Sequence, residues 1–219
     1  MPTPKKGYWI DDTRVPSVTQ VLSVASVMST DALCGWAARL AKEGKDWREE
    51  RNRAGYIGTL AHDAIESFPA EPALPPDLNE GEVARIRAAW EAHAAWVERH
   101  KPKVVLQEVQ LVSRSLFVGG TPDLVVEVDG ARVLLDHKTG KSVDGKVLMQ
   151  LGAYAELLRE CVGIEVEAAL VMHHPAGRPF EAKPLTKSDL ALGLDAFKKV
   201  RALYDLIPQL NKAFGPERI

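Results

Sequence analysis

Over residues 55–100 the apolar positions keep a helical rhythm. Ile57, Leu60, Ala61, Ala64, Ile65 and Phe68 share one face of a predicted helix from Gly55 to Phe68, and Val83, Ile86, Trp90 and Val97 share one face of a second, from Glu80 to His100. Pro69, Pro72, Pro75 and Pro76 mark the connector between them. Upstream, residues 1–16 read as extended, and Pro16-Ser17-Val18-Thr19 opens a helix with Ser17 as its N-cap. Residues 31–53 form a helical segment carrying Trp36, Leu40 and Trp47. Beyond Pro102 the rhythm shortens to strands over 103–112, 116–118, 122–129 and 131–138. A helix over 145–161, a strand over 165–173 and a last helix over 187–206, capped by Thr186 or Ser188, complete the pattern.

Helices, then strands, a helix, a strand and a helix give an α/β protein. Its core is an αβββαβ mixed sheet over 103–219, and residues 1–102 form a helical layer packed against it as one compact unit. No Gly-rich loop joins a first strand to a helix, so a doubly wound nucleotide fold fits poorly.

The densest chemistry lies in the hairpin. Leu124-Val125-Val126-Glu127-Val128 and Ala131-Arg132-Val133-Leu134-Leu135 flank Asp129-Gly130, a pairing of turn and strands that specifies a two-residue hairpin. Counting outward from the turn sets Asp123 opposite Asp136, with Cβ atoms roughly 5 Å apart. Two carboxylates so placed repel each other unless a cation lies between them. Alternation puts Lys138 on the face of Asp136 and turns the His137 side chain away. Two acids and an ammonium at one spot outline a metal-dependent hydrolytic site.

Two further pairs stand at helical spacing. His62 and Glu66 project from one face of the Gly55–Phe68 helix, and Gln150 and Tyr154 from one face of the next helix. Neutral imidazole ligates Mn²⁺-like ions. Gln150 is suited to orient the lysine or a phosphate, and Tyr154 to hydrogen-bond or stack on substrate. Glu108 is a further acid on the strand before the hairpin; by itself such a residue more often faces solvent. Glu127 and Asp129 read as surface and turn residues, His173-His174 as structural, and His93 and His100 as solvated.

The net charge of −2 makes no global case for nucleic acid, so such binding requires a local basic surface. Arg39, Lys42, Arg48 and Arg51, together with Lys141 and Lys146, offer one, and Trp36 or Trp47 could stack on bases. Cys34 and Cys161 lack CxxC spacing; they read as reduced, semi-buried thiols and cannot build a zinc ribbon or a four-cysteine cluster. No apolar run reaches membrane-spanning length and no hydrophobic segment follows Met1–Lys6, so a cytoplasmic protein without membrane association is expected.

With Gly58-Thr59-x-x-His62, Gly120-x-x-Asp123, Asp136-x-Lys138-Thr139-Gly140 and Gln150-x-x-x-Tyr154 in this order, the chain resembles the RecB-like branch of the PD-(D/E)xK nucleases over roughly residues 16–172. That branch includes phage and CRISPR-associated exonucleases. The resemblance implies a restriction-endonuclease-like fold and an Mg²⁺- or Mn²⁺-dependent deoxyribonuclease. One or two ions would be held by His62, Asp123, Asp136 and the His137 backbone carbonyl, with Glu108 at the position of the upstream acid. It implies Lys138 as the charge-stabilising or water-orienting residue, and Gln150 and Tyr154 as the downstream motif. The iron–sulfur cysteines of some relatives are missing here, so no cluster is expected. The implied substrate is DNA, as single- or double-stranded ends. The implied setting is end processing, recombination or phage genome metabolism in a bacterial cytoplasm, alone or with a recombination or helicase partner. The rival readings are a structure- or sequence-selective endonuclease of the same fold and a non-catalytic DNA-binding subunit.

Overall fold

The computed structural model describes residues 7–175 and 178–213. It opens with a small hairpin, β1 (Tyr8–Ile10) and β2 (Thr13–Val15), where an extended segment was expected; residues 1–6 of that segment lie outside the described residues. Helix α1 (Val18–Leu22) follows, with Ser17 as N-cap in a full capping box: its hydroxyl accepts from Gln20 N at 3.0 Å while Gln20 Oε1 accepts from Ser17 N at 2.8 Å. A short 3₁₀ stretch (Ser23–Ser29) leads into α2 (Thr30–Lys42).

The helical run expected over 31–53 is broken, and the break expected near Gly55 does not exist. Gly44 adopts φ +71° after α2, and Asp46 caps a new helix, α3 (Trp47–Glu66), by accepting from Arg48 N at 2.7 Å. Gly55 stays inside α3, because the face formed by Ile57, Ala61, Ala64 and Ile65 is buried against Ile86 and Ala89 of α4 (Glu80–His100).

The main sheet has five strands in the order β3-β6-β7-β8-β9: β3 (Lys103–Gln107), β6 (Leu124–Val128), β7 (Ala131–Lys138), β8 (Ala168–His173) and β9 (Glu181–Thr186). Only β7 and β8 are parallel, joined by helix α5 (Gly145–Val162), as a parallel pair requires. Strand β9 was not expected from the sequence. It is an exposed edge, which is where its Pro184 is tolerated. Two short strands, β4 (Leu111–Ser113) and β5 (Val118–Gly120), form a separate ribbon. Helix α6 (Lys187–Ala213) runs past the expected end at 206, and its cap is Thr186, whose hydroxyl accepts from Asp189 N at 3.2 Å.

The sheet buries different apolar sets on its two faces. Val125, Leu134, Ala169 and Val171 pack with Leu151, Leu157 and Phe197 from α5 and α6. Leu124, Val126, Leu135 and Met172 face the other way, toward Trp96 of α4. The architecture is the α/β, restriction-endonuclease-like mixed sheet with a helical layer. No helix among the described residues is long and apolar enough to cross a membrane. Both cysteines are exposed rather than semi-buried, and the Cys161 thiol donates to the Val112 carbonyl at 3.3 Å.

Candidate active site

The β6–β7 hairpin fixes the centre of the site. Asp129 and Gly130 take φ +50° and +81°, the turn that matches strand twist, and the ladder pairs Val128 with Ala131 through to Leu124 with Leu135. One step further out, Asp123 leaves the ladder. Its Oδ2 accepts from His137 N at 2.9 Å, and its carbonyl accepts from Glu108 N at 3.1 Å. Asp123 is thus tied to β7 through its side chain and to the end of β3 through its backbone.

Asp136 and Lys138 share a face of β7, as alternation requires. The Lys138 ammonium lies 2.8 Å from Asp136 Oδ1 and 2.7 Å from Oδ2. Burial raises the Asp136 carboxyl above the usual carboxylate range against the pull of Lys138, and the charge of Asp123 adds to the rise.

His62, Glu108 and Asp123 place their ligand atoms within 4.8 Å of one another. Glu108, placed by the resemblance at the upstream acid though in isolation such a residue more often faces solvent, enters this trio, with φ +47° turning it out of the β3 line. It keeps an exposed flank, yet burial of its carboxyl and then the charges of Asp123, Glu66 and Asp63 push it up to about 7. That strain between acids is what a divalent cation relieves. The oxygen and imidazole donors suit Mg²⁺ or Mn²⁺. Asp136 stands beside this trio rather than in it, its carboxylate held by Lys138.

The trio opens on a cleft of about 480 Å³ that is also lined by Gly58, Lys138 and Thr139. Gly58 lies close against the Thr139 hydroxyl: a Cβ there would come within 3.1 Å of it. Gln150 donates to the Tyr154 hydroxyl at 3.1 Å. The Tyr154 ring is buried beneath Gly120, so it is not open for stacking on substrate, and burial raises its pKa.

The expected nucleic-acid residues divide. Lys141 lies in the loop after Lys138, and Lys146 in the first turn of α5 with its ammonium 3.5 Å from Asp144 Oδ2. Arg39 pairs with Glu43 at 4.0 Å, Lys42 is exposed, and Arg48 and Arg51 lie over the Trp47 ring at 4.7 and 5.2 Å. Arg48 precedes His62 by about 21 Å along α3. The basic face is also interrupted by Glu49 and Glu50, and Arg53 is committed to Asp77 and Glu82 at 2.9 and 2.6 Å.

Several neighbours gave no signal in the sequence. Tyr8 packs its ring on Gly119 and its hydroxyl lies 2.9 Å from Thr121 Oγ1, which braces the loop before Asp123. His93, expected to be solvated, is buried, with its ring 5.1 Å from that of His137; His100 is exposed and stacks on Trp96. His174 stacks on the other side of His137 at 5.6 Å. His173 points the opposite way from His174 and lies 2.8 Å from the Gly140 carbonyl.

Burial holds the His93 and His174 pKa values down to about 4, and that of His137 well below normal. The unfolded chain takes up these protons near pH ~6.5. Stability from these groups is therefore full above that pH and falls as pH drops toward about 4, by up to about 1.4 kcal/mol per pH unit for each imidazole. Thermal unfolding followed by circular dichroism should show the midpoint falling from about pH 7 to about pH 5, and His93→Phe should flatten that decline. An unchanged slope in His93→Phe would remove His93 from the account.

A family model described as the PD-(D/E)XK nuclease superfamily matches residues 25–207. The chain belongs to that superfamily. No curated protein matches by sequence. Among solved structures it is similar to an exonuclease assignment from Eubacterium rectale, at 12% identity and TM-score 0.40, covering 91% of this chain and 69% of the other. It is also similar to LHK-Exo, an alkaline exonuclease from Laribacter hongkongensis, at 10% identity and TM-score 0.36, covering 64% and 78%. LHK-Exo has in addition been solved in complex with dAMP, matched at 11% identity and TM-score 0.36 over 71% and 93%.

Proposed function

We propose that this chain is a metal-dependent deoxyribonuclease of the RecB-like branch, acting as an exonuclease on DNA ends in the cytoplasm. The observation that carries this reading is the trio His62–Glu108–Asp123 in a cleft also lined by Lys138, whose ammonium is paired with the buried Asp136. His62 comes from the helical layer and Asp123 from the sheet, so residues 1–102 and 103–219 work as a single unit. His62, Glu108 and Asp123 would hold Mg²⁺ or Mn²⁺, with Asp136 and the His137 carbonyl as neighbouring oxygen donors.

A divalent ion bound there supplies an acidified water and neutralises charge growing on the phosphate. Lys138 places its ammonium where it can stabilise that charge or orient the attacking water. Asp136 holds Lys138 in position through two short contacts. Gln150, bonded to Tyr154 on α5, faces the same side of β7 and steadies the lysine or the phosphate.

The test is incubation of end-labelled linear DNA and covalently closed circular DNA with the protein in Mg²⁺ and Mn²⁺. The expected result is release of nucleotides from linear DNA and intact circles. Cleavage of the circles would move the assignment to an endonuclease of the same fold, and no cleavage of either, with retained DNA binding, to a non-catalytic subunit.

A further inference from the structure

Across the Thr139–Lys141 loop from the cleft that holds Lys138 lies a second cleft of about 470 Å³, between α4 and the residues His174, Pro175 and Arg178 to Phe180. Arg85 and Arg178 enter it from opposite sides, Ala84 and Ala88 contribute to its α4 side, and Phe180 lies at its edge. We infer that it is a phosphodiester-binding subsite that holds the nucleic-acid strand away from the scissile bond; the inference rests on the nuclease reading above.

The two guanidinium groups are met by backbone carbonyls. Arg85 is half-buried and donates to the Thr139 carbonyl, and its Nε is buried without a partner. Arg178 donates to the Lys141 carbonyl. Among the described residues neither forms an ion pair. Glu181, the acid whose charge Arg178 reaches, is held by Lys183 at 3.0 Å. Burial lowers the Arg85 pKa, and among the described residues no acid offsets that burial. Carbonyl dipoles leave a half-buried cation undercompensated, and a net anion completes it. Guanidinium forks suit phosphate oxygens, and each retains further N–H donors for them.

Two more features fit a strand rather than a free anion. Phe180 is 36% exposed and its ring stacks on His174 at 5.0 Å, a platform for a base. The loop separating the two clefts is pinned at three successive carbonyls, by Arg85, His173 and Arg178. A strand with its reactive phosphate beside Lys138 would cross this fixed ridge and meet the two arginines.

The experiment measures anisotropy of a labelled single-stranded oligonucleotide in Ca²⁺ across a KCl series. It compares the natural protein with Arg85→Gln, Arg178→Gln and Phe180→Ala, and with Arg99→Gln at the exposed end of α4 as control. Glutamine retains an N–H donor for the loop carbonyl while removing the charge. Each arginine variant should lower the slope of log affinity against log salt by about 0.7. Phe180→Ala should weaken binding about fivefold or more with the slope unchanged, and Arg99→Gln should change neither. Turnover of a small chromogenic phosphodiester, too short to reach the second cleft, should be unaffected in all four. Natural slopes in both arginine variants, or equal loss of turnover on the small diester and on DNA, would overturn the subsite and leave the arginines as loop supports. Melting curves identify a variant that fails to fold, and Arg178, outside any helix or strand, then decides the matter. A natural protein that binds no oligonucleotide would sink the nuclease reading itself, and the subsite with it.

Discussion

Lys138→Met is expected to slow DNA cleavage by about 10²–10³-fold, the scale of removing one charge-stabilising donor from a reaction centre, while Mn²⁺ binding measured by calorimetry stays near that of the natural protein. The separation follows from the geometry. Lys138 forms its ion pair with Asp136, and the residues suited to hold the ion are His62, Glu108 and Asp123, which line the same cleft. Asp123→Asn and Glu108→Gln should show the opposite pattern, with weakened Mn²⁺ binding as the primary loss and cleavage lost with it. Methionine preserves most of the stem that packs along β7, so the change is mainly one of charge. It also leaves Asp136, 1% exposed, without its cation, which should lower the melting midpoint. Full cleavage by Lys138→Met would exclude it from the chemistry. Parallel loss of metal binding would instead make Lys138 a support of the ligand set.

The parts of this site that could be read in the sequence are those set by local geometry. Asp-Gly demands two positive φ values, a two-residue turn follows, and the turn fixes which residues oppose each other, so the register near Asp123 and Asp136 was determined by a few adjacent letters. The bounds of α4 were equally legible, because Asn79 and Glu82 form a capping box and Lys101 ends the helix at φ +45°. What was not legible depends on distant pairing. Glu108 joins the trio only through the β3–β6 ladder, its bulge near Leu106 and a left-handed backbone at residue 108. Arg85 reaches Thr139 across 54 positions of sequence, and His93 is buried only because α4 lies over β7. Strand β9 lacked a signal for another reason: an edge strand buries little, so its apolar alternation is weak and a proline costs it nothing. The break between α2 and α3 did have a signal, Gly44 followed by Asp46, overshadowed by the run of basic residues around it.

The largest stability effect should come from the crossing of α5 and α6, which underlies the sheet face behind Asp136. The two helices meet glycine on glycine. A Cβ on Gly193 would come within 2.2 Å of the Leu148 carbonyl oxygen, and one on Gly152 within 2.3 Å of the Leu194 nitrogen. Those obstacles are backbone atoms, so no side-chain rotation relieves them, and the helices must separate. Separation opens the core around Leu151, Leu157, Leu190 and Phe197. Gly193→Ala should therefore destabilise the protein by about 2–3 kcal/mol, as overpacking of a close-packed interface does, despite the helix propensity that alanine gains. Gly55→Ala supplies the contrast. It also lies within a helix, but its Cβ would meet nothing within 4 Å, so propensity alone acts and stability should rise by about 0.5–1 kcal/mol. Urea unfolding of both variants measures the difference in sign. The α5–α6 crossing would be looser than described if Gly193→Ala proved as stable as the natural protein, and the support it gives to Gln150 and Tyr154 would then need another source.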